Sequence, residues 1–369
     1  MEPSGVDLST TTSPSSSRVR GRTFSLGAVL AAALVACSPA APSSPAPVAT
    51  VGSSTAPAAS TEPTTGARAI FHITGESPVI ARSIVPERGA ILPGAVTVDD
   101  EGTYHAWVIA FASTPGTQDV HHLTSADAVT WTLQIDDSLA ALSEGLGNPG
   151  AIPSSVVPAG DEWAMYFTGT LASEQEGWDI WRATAPRLDG PWTRSEEPVL
   201  RRGEAGSWDS GALDFPTVIP LEVGYDMFYS GIPSTDRNTG AVGHATSEDG
   251  IEWTKGDAAV LEPGLCGGFD ERSVQQPRVL PSANGFVMAY AGYAEDISLP
   301  AQVGFADSFD GSTWACEWPG PALDTSTLTG DGIHTINAFQ HGDNPALLVE
   351  WLADDGTDVW LAEFGLGGS

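Results

Sequence analysis

The chain sets 47 acidic residues against 15 basic ones, and two aspartate patterns separate within it. Asp209, Asp270 and Asp331 recur every 61 residues, and Asn148 holds the same place one period earlier. A group repeated in every unit reads as structural, a turn between units. Asp214 breaks the pattern, with Pro153, Gln275 and Ile336 at the same spacing from it. Chemistry happens once per molecule, so Asp214 is the strongest candidate for a reacting carboxylate. Glu271, beside Asp270, also breaks the repeat and is the second candidate. One carboxyl group that gives a proton and another that activates water or attacks can together cleave a polar bond. Gln275, Gln276 and His334 could hydrogen-bond a ligand near the same level. Arg272 and Arg278 read as surface ion pairs, with phosphate binding as the alternative. No zinc spacing, P-loop, dinucleotide fingerprint or GxSxG nucleophile occurs, so neither a metal nor a cofactor is expected.

These residues need elements to position them, and the elements repeat. Trp131, Trp192, Trp253 and Trp314 stand 61 apart and close the similar phrases TSADAVTW, APRLDGPW, TSEDGIEW and DSFDGSTW. Asp bonds its own backbone in such turns, Gly supplies positive φ, and Trp carries a large apolar face into the next strand. Before each turn lies a strand ending small and polar, such as DIWRATA or AVGHATS. Before that lies an aromatic strand, as in EWAMYFTGT, GYDMFYSGI and PALLVEWLA. Earlier still comes a short strand near proline, FPTVIP or QPRVLP. Four short strands per unit predict a propeller blade. Five periods of 61 make 305, against the 303 residues from Ala67 onward. The expected fold is all-β, a five-bladed β-propeller with four-stranded blades over 67–369. The last unit lacks its fourth strand, so AIFHITG near Ile70 should complete it and hide the edge. A β-sandwich gives no reason for the strict period.

The loops joining second and third strands should rim one face. They carry Glu174, Glu176 and Trp178, then Asp236 and Arg237, then Glu295 and Asp296. Carboxylates beside an exposed aromatic suit sugar binding, where a ring stacks and acids grip hydroxyls. A net charge of −32 repels phosphate backbones and weighs against nucleic acid as a partner.

The beginning of the chain reads differently. Arg18, Arg20 and Arg22 precede an apolar run from Phe24 to Ala36. That run is too short for about 30 Å of hydrocarbon and reads as a signal peptide over 1–36. Leu34-Val35-Ala36-Cys37 resembles a bacterial lipobox, which implies cleavage before Cys37 and its acylation. Residues 37–66 are almost wholly Ala, Pro, Ser and Thr and read as a disordered tether. The expected location is extracytoplasmic, held to the membrane through the lipid only, with a monomeric domain. Cys266 and Cys316 could pair in an oxidising compartment, and their spacing leaves that open.

The phrases YDMFYSG, AVGHATSEDGIEWTK and FDERSVQQPRVL are similar to blades of the five-bladed propeller glycosidases, the group of families 32, 43, 68 and 130. The resemblance covers about residues 70–369. It implies a site at the mouth of the central channel, where the inner strands begin. The family 43 pattern implies three acids there: an Asp before a Pro in the first blade, an Asp in the third and a Glu before a Pro in the fourth. Asp214, in ALDFPTVI, matches the second of these. GAILPGAVTV has no acid at the first place, and SVQQPRVL offers Gln275 and Gln276 at the third. Glutamine cannot act as a general acid; Glu271 could replace it. Carboxylate-based hydrolysis of a poly- or oligosaccharide is the first expectation. A propeller that binds carbohydrate without turnover is the second, and a protein-interaction propeller the third.

Overall fold

A computed structural model describes residues 69–366 apart from 87, 113–117, 136–138, 148–149, 174–176, 235–237, 296–299, 317 and 354–355. The expected signal peptide and tether, with Cys37, and the candidates Asn148, Glu174, Glu176, Asp236, Arg237 and Asp296 therefore lie outside the described residues.

The domain is a five-bladed β-propeller. It opens on β1 (Ala69–Ile73), which belongs to the last blade. Blade one is β2 (Arg88–Val98), β3 (Tyr104–Ala112), β4 (Gln118–Ser125) and β5 (Thr132–Leu133). Blade two is β6 (Ile152–Ala159), β7 (Glu162–Gly169), β8 (Asp179–Ala185) and β9 (Thr193–Arg194). Blade three is β10 (Ala212–Pro220), β11 (Tyr225–Ile232), β12 (Ala241–Ser247) and β13 (Thr254–Lys255). Blade four is β14 (Ser273–Ser282), β15 (Gly285–Tyr293) and β16 (Gln302–Ser308). A short β17 (Leu323–Asp324) leads on to β18 (Gly332–His341), β19 (Asn344–Ala353) and β20 (Gly356–Leu366) of blade five. Within each blade successive strands pair antiparallel. The inner strands β2, β6, β10, β14 and β18 touch in succession, and β18 returns to β2. That cycle closes the ring.

The period follows from packing. Each blade must bury both faces, so each seam carries an apolar cluster. Trp131, Trp192 and Trp314 are buried in such clusters, and Trp253 packs against another. The turns before Trp131, Trp253 and Trp314 are each held by an aspartate, whereas in the turn before Trp192 Asp189 takes the Arg187 side chain. Asp249 Oδ1 accepts from the backbone of Ile251 (2.8 Å) and Glu252 (2.9 Å), and Asp310 does the same for Ser312 and Thr313. Those amide donors hold both carboxyls below the usual range.

Closure occurs as the sequence requires: β1 pairs antiparallel with β20, from Ala69 opposite Leu366 to Ile73 opposite Ala362. Blade four departs from the four-strand rule. A single bridge between Asp307 and Ala315 stands where its fourth strand would be, next to Cys316. Cys266 and Cys316 form a disulfide, with Cα atoms 5.4 Å apart.

The period itself slips in blade five. Trp253 lies 20 residues before the start of β14, whereas Trp314 lies 18 before the start of β18. Asp331 therefore does not share the place of Asp209 and Asp270. Its amide donates to Leu352 O, as Arg272 donates to Tyr293 O and Gly211 to Ile232 O. Asp209 and Asp270 are buried, and Asp331 is exposed.

Candidate functional site

Inner strands start, second strands end and third strands start at one end of the ring, which is the mouth. Just inside it every inner strand is kinked, between Pro93 and Val96, Pro153 and Ser155, Asp214 and Thr217, Gln275 and Arg278, and Ile333 and Ile336. Two of these kinks put a non-glycine residue in the left-handed region, Phe215 at φ 48° and Gln276 at φ 55°. Such backbone persists only where hydrogen bonds hold it. Phe215 N donates to Asp214 Oδ1 (2.9 Å) and Thr168 Oγ1 (3.1 Å), and Gln276 N donates to Ser230 Oγ (2.8 Å).

At the level of Asp214, which pairs with Ser230 on the next strand, blade four presents Gln275 opposite Ala291. Blade five presents His334, seven residues before its hairpin turn at His341, as Gln275 is seven before Ser282. Spacing alone had put Ile336 there; the shortened last unit moves the place to His334. Blades one and two present Leu92, opposite Ile109, and Ile152, opposite Thr168. Leu92, Ile109, Ile152 and Phe215 form one buried apolar cluster across three blades.

Asp214 is fully buried. Below it Arg278, only 2% exposed, crosses the axis. Its Nε donates to Ile336 O (2.8 Å) and its Nη1 to Ser154 O (3.3 Å). Its guanidinium carbon lies 5.3 Å from the centroid of the Phe215 ring, within cation–π range. Burial pulls the guanidinium down to about 9, and the Asp214 carboxylate pulls the other way. The group is charged at neutral pH. Arg278 thus reaches from blade four to blades two, three and five. It is no surface ion pair, because the axis is the one place where a single side chain meets several blades. Asn337 adds bonds to the carbonyls of Gly94 and Ser154. Beyond this layer a chamber of about 320 Å³ opens toward the other end of the channel, walled by Val96, Val156, Val218 and Val279 among others.

The other predicted residues fall in three groups. Gln275 and Gln276 are buried and engaged. Gln275 Nε2 donates to Ser273 Oγ (3.0 Å). Gln276 Nε2 donates to His334 O (3.0 Å), while its Oε1 accepts from Ile336 N (3.1 Å), so it clamps the blade-five kink. His334 and Trp178 stand at the mouth. The His334 side chain is 64% exposed; half-buried Trp178 accepts from Leu213 N, one residue before Asp214, through its carbonyl (2.9 Å). Glu271 is exposed and follows the 3-10 turn Gly268–Asp270, outside the ring of inner strands. Arg272 is exposed too, its Nε on Asn238 O (3.1 Å).

One functional group was missed. Glu350 is 3% exposed on β19, and its Oε2 lies 3.3 Å from His334 Nδ1. Its signal was present: a lone acid inside the apolar strand PALLVEWLA. The same signal marked Arg278 within QPRVLP. Among the described residues no group of three or more His, Cys, Asp or Glu is placed to hold a metal ion.

No protein-family model and no curated protein matches the chain. Solved structures do. BT0996, solved in a complex with RGII, superposes with a TM-score of 0.61 at 15% identity, over 79% of this chain and 92% of that one. A family 117 glycoside hydrolase from the marine bacterium Zobellia galactanivorans gives 0.59 at 13%, over 81% and 91%. A β-1,2-mannobiose phosphorylase from Listeria innocua, solved with β-1,2-mannobiose, gives 0.57 at 14%, over 80% and 96%. The chain therefore has the fold of the five-bladed propeller glycoside hydrolases and phosphorylases. At these identities the likeness concerns architecture, and activity must be argued from the mouth itself.

Proposed function

We propose that this protein is an exported carbohydrate-binding propeller whose mouth holds an oligosaccharide without cleaving it. One observation carries the reading. Among the described residues the inner strands present Leu92, Ile152, Asp214, Gln275 and His334 at the mouth; the Asp214 carboxylate is fully buried with Arg278 below it, and the next carboxylate, Glu350 on β19, is buried against His334. Glycoside hydrolysis needs two carboxyl groups about 5–10 Å apart across the bond. The saccharide-processing neighbours supply the ligand class. An apolar floor of Leu92, Ile152 and Phe215, with His334 and Trp178 above it, suits a sugar's mixed surface.

A hydrolytic reading rests on the acids near the mouth. Asp214 with Glu271, or with Glu350 acting through His334, would form the pair. It requires turnover that Asp214→Asn abolishes.

Export and lipid anchoring at Cys37 are part of the proposal. The Cys266–Cys316 disulfide supports an oxidising compartment. Titration calorimetry with pectic, arabinan, fructan and mannan oligomers tests the binding. At least one class should bind, with a loss of tenfold or more in His334→Ala. Silence across the whole panel would remove the carbohydrate reading.

A further inference from the structure

The channel is filled at one level and open below it. One level beneath the kinks, Ser155, Thr217, Arg278 and Asn337 hold matching places, paired with Tyr166, Phe228, Ala289 and Leu348. Three of these side chains are short. The long one turns toward the mouth, because its guanidinium donates to the carbonyls of Ser154 and Ile336, each one residue nearer the mouth than Ser155 and Asn337. Farther down, the inner strands carry β-branched residues such as Val96, Val156, Val218 and Val279, whose side chains are short and stiff. They wall the chamber of about 320 Å³. Pro220, Pro281 and Gln340, exposed at the strand ends, rim its opening. A concave, mostly apolar space of that volume has the form of a small-molecule site. Among the described residues, no side chain lining it carries a charge.

The polar groups at its ceiling are engaged, with one exception. Ser154 Oγ donates to Ile152 O (3.1 Å), Thr217 Oγ1 donates to Pro277 O (2.6 Å), and Ser155 Oγ accepts from Val218 N (3.1 Å). Asn337 is the exception. It is 3% exposed and lines the chamber. Its Nδ2 donates to the carbonyls of Gly94 and Ser154. Those two bonds fix the amide, since the reverse orientation would set oxygen against oxygen. Its Oδ1 accepts from no group among the described residues. A buried acceptor left open calls for a donor from outside the chain.

We propose that the chamber binds a small neutral molecule with an apolar body and one hydroxyl, which donates to Asn337 Oδ1. What lies above selects the head group. The Arg278 guanidinium at the ceiling repels an ammonium group, and a carboxylate has no proton to give to Oδ1. The Arg278 layer separates the chamber from the mouth, so this site stands whether or not the mouth takes a saccharide.

Titration of the full-length protein with cyclohexanol tests this, read on the methyl resonances of Val96, Val156, Val218 and Val279. Those methyls should shift together and saturate, with a dissociation constant under about 1 mM, which is within reach of so small a ligand. Cyclohexanone, the same ring without the donor, should bind at least tenfold more weakly. Cyclohexylammonium should leave the methyls unmoved. Ala338→Phe, which fills the chamber from one wall, should abolish the shifts; Val98→Trp at the opening serves if that variant melts early. Valine methyls that ignore cyclohexanol would overturn the site, as would shifts that persist in both variants or are confined to Leu92 and Ile152 at the mouth. Equal affinity for cyclohexanone would overturn the part given to Asn337.

Discussion

Blades one and two bring Leu92 and Ile152 to the axis, where with Phe215 they close over one another. Blades three, four and five bring Asp214, Gln275 and His334, whose polar groups are tied to Arg278, Ser273, Gln276 and Glu350. The first half is shut by removing apolar surface from water, a term that asks for no geometry. The second is shut by hydrogen bonds and charge, which do. A mouth built for hydrolysis needs carboxylates on both sides of the bond. Among the described residues Leu92 and Ile152 bring no carboxylate on one side, and on the other Asp214 is buried near the Arg278 guanidinium. The polar centre of the mouth holds blades together.

The comparison can be broken on its polar side first. Arg278→Met should cost roughly 5 kcal/mol in denaturant unfolding, the upper end for stranding one partner of a buried pair. Adding Asp214→Leu should restore most of that loss, because no charge is then left unpaired. A single-variant cost under about 1 kcal/mol would show that Arg278 is no hub. Next comes the Cys266–Cys316 bridge, which closes 50 residues of chain. Reduction, or Cys266→Ser with Cys316→Ser, should remove about 4 kcal/mol on the loop-entropy scale, read as a lowered denaturation midpoint.

The apolar side has its own test. Behind it, in blade one, Asp99 Oδ2 lies 3.2 Å from His105 Nε2, and His105 Nδ1 lies 2.9 Å from His122 Nε2. Burial, helped by His105, holds His122 down to about 4. The unfolded imidazole titrates near 6.5, so the folded state binds fewer protons between those values. Stability is complete above about pH 6.5 and falls as pH drops toward 4, by about 3 kcal/mol. His122→Gln should flatten that stretch of the stability profile; an unchanged slope would assign it elsewhere. The smallest effect is on the clamp. Gln276→Ala should cost about 2 kcal/mol by leaving His334 O and Ile336 N without their partner. It should also shift the His334 imidazole resonances, which a remote structural loss would not do.

The repeat of tryptophans 61 residues apart carried the fold, because a large apolar side chain in a fixed turn is what each seam needs. Closure by Ala69–Ile73 was legible for the same reason, as a blade short of one strand has to find it. What the spacing hid was the loss of two residues before β18. It made Asp331 look like Asp270, while the hydrogen-bond ladder puts Trp351 of blade five where blade four has Gly292. At the site, Asp214 stood out by breaking the repeat. Its partner Arg278 could not be placed from sequence, since the axis gathers residues about 60 apart. Glu350 belongs to a second strand, which reaches the mouth with its end, so the pattern of inner-strand beginnings carries no sign of it.

The decisive measurement is mass spectrometry of a bound oligosaccharide recovered after prolonged incubation with the intact protein. The proposed binding-only mouth, whose Asp214 and Glu350 carboxylates are both buried, predicts that the ligand comes back at its original length, from wild type and Asp214→Asn alike. Shortened products that form with wild type and vanish with Asp214→Asn would contradict that account and put a working acid pair back at the axis.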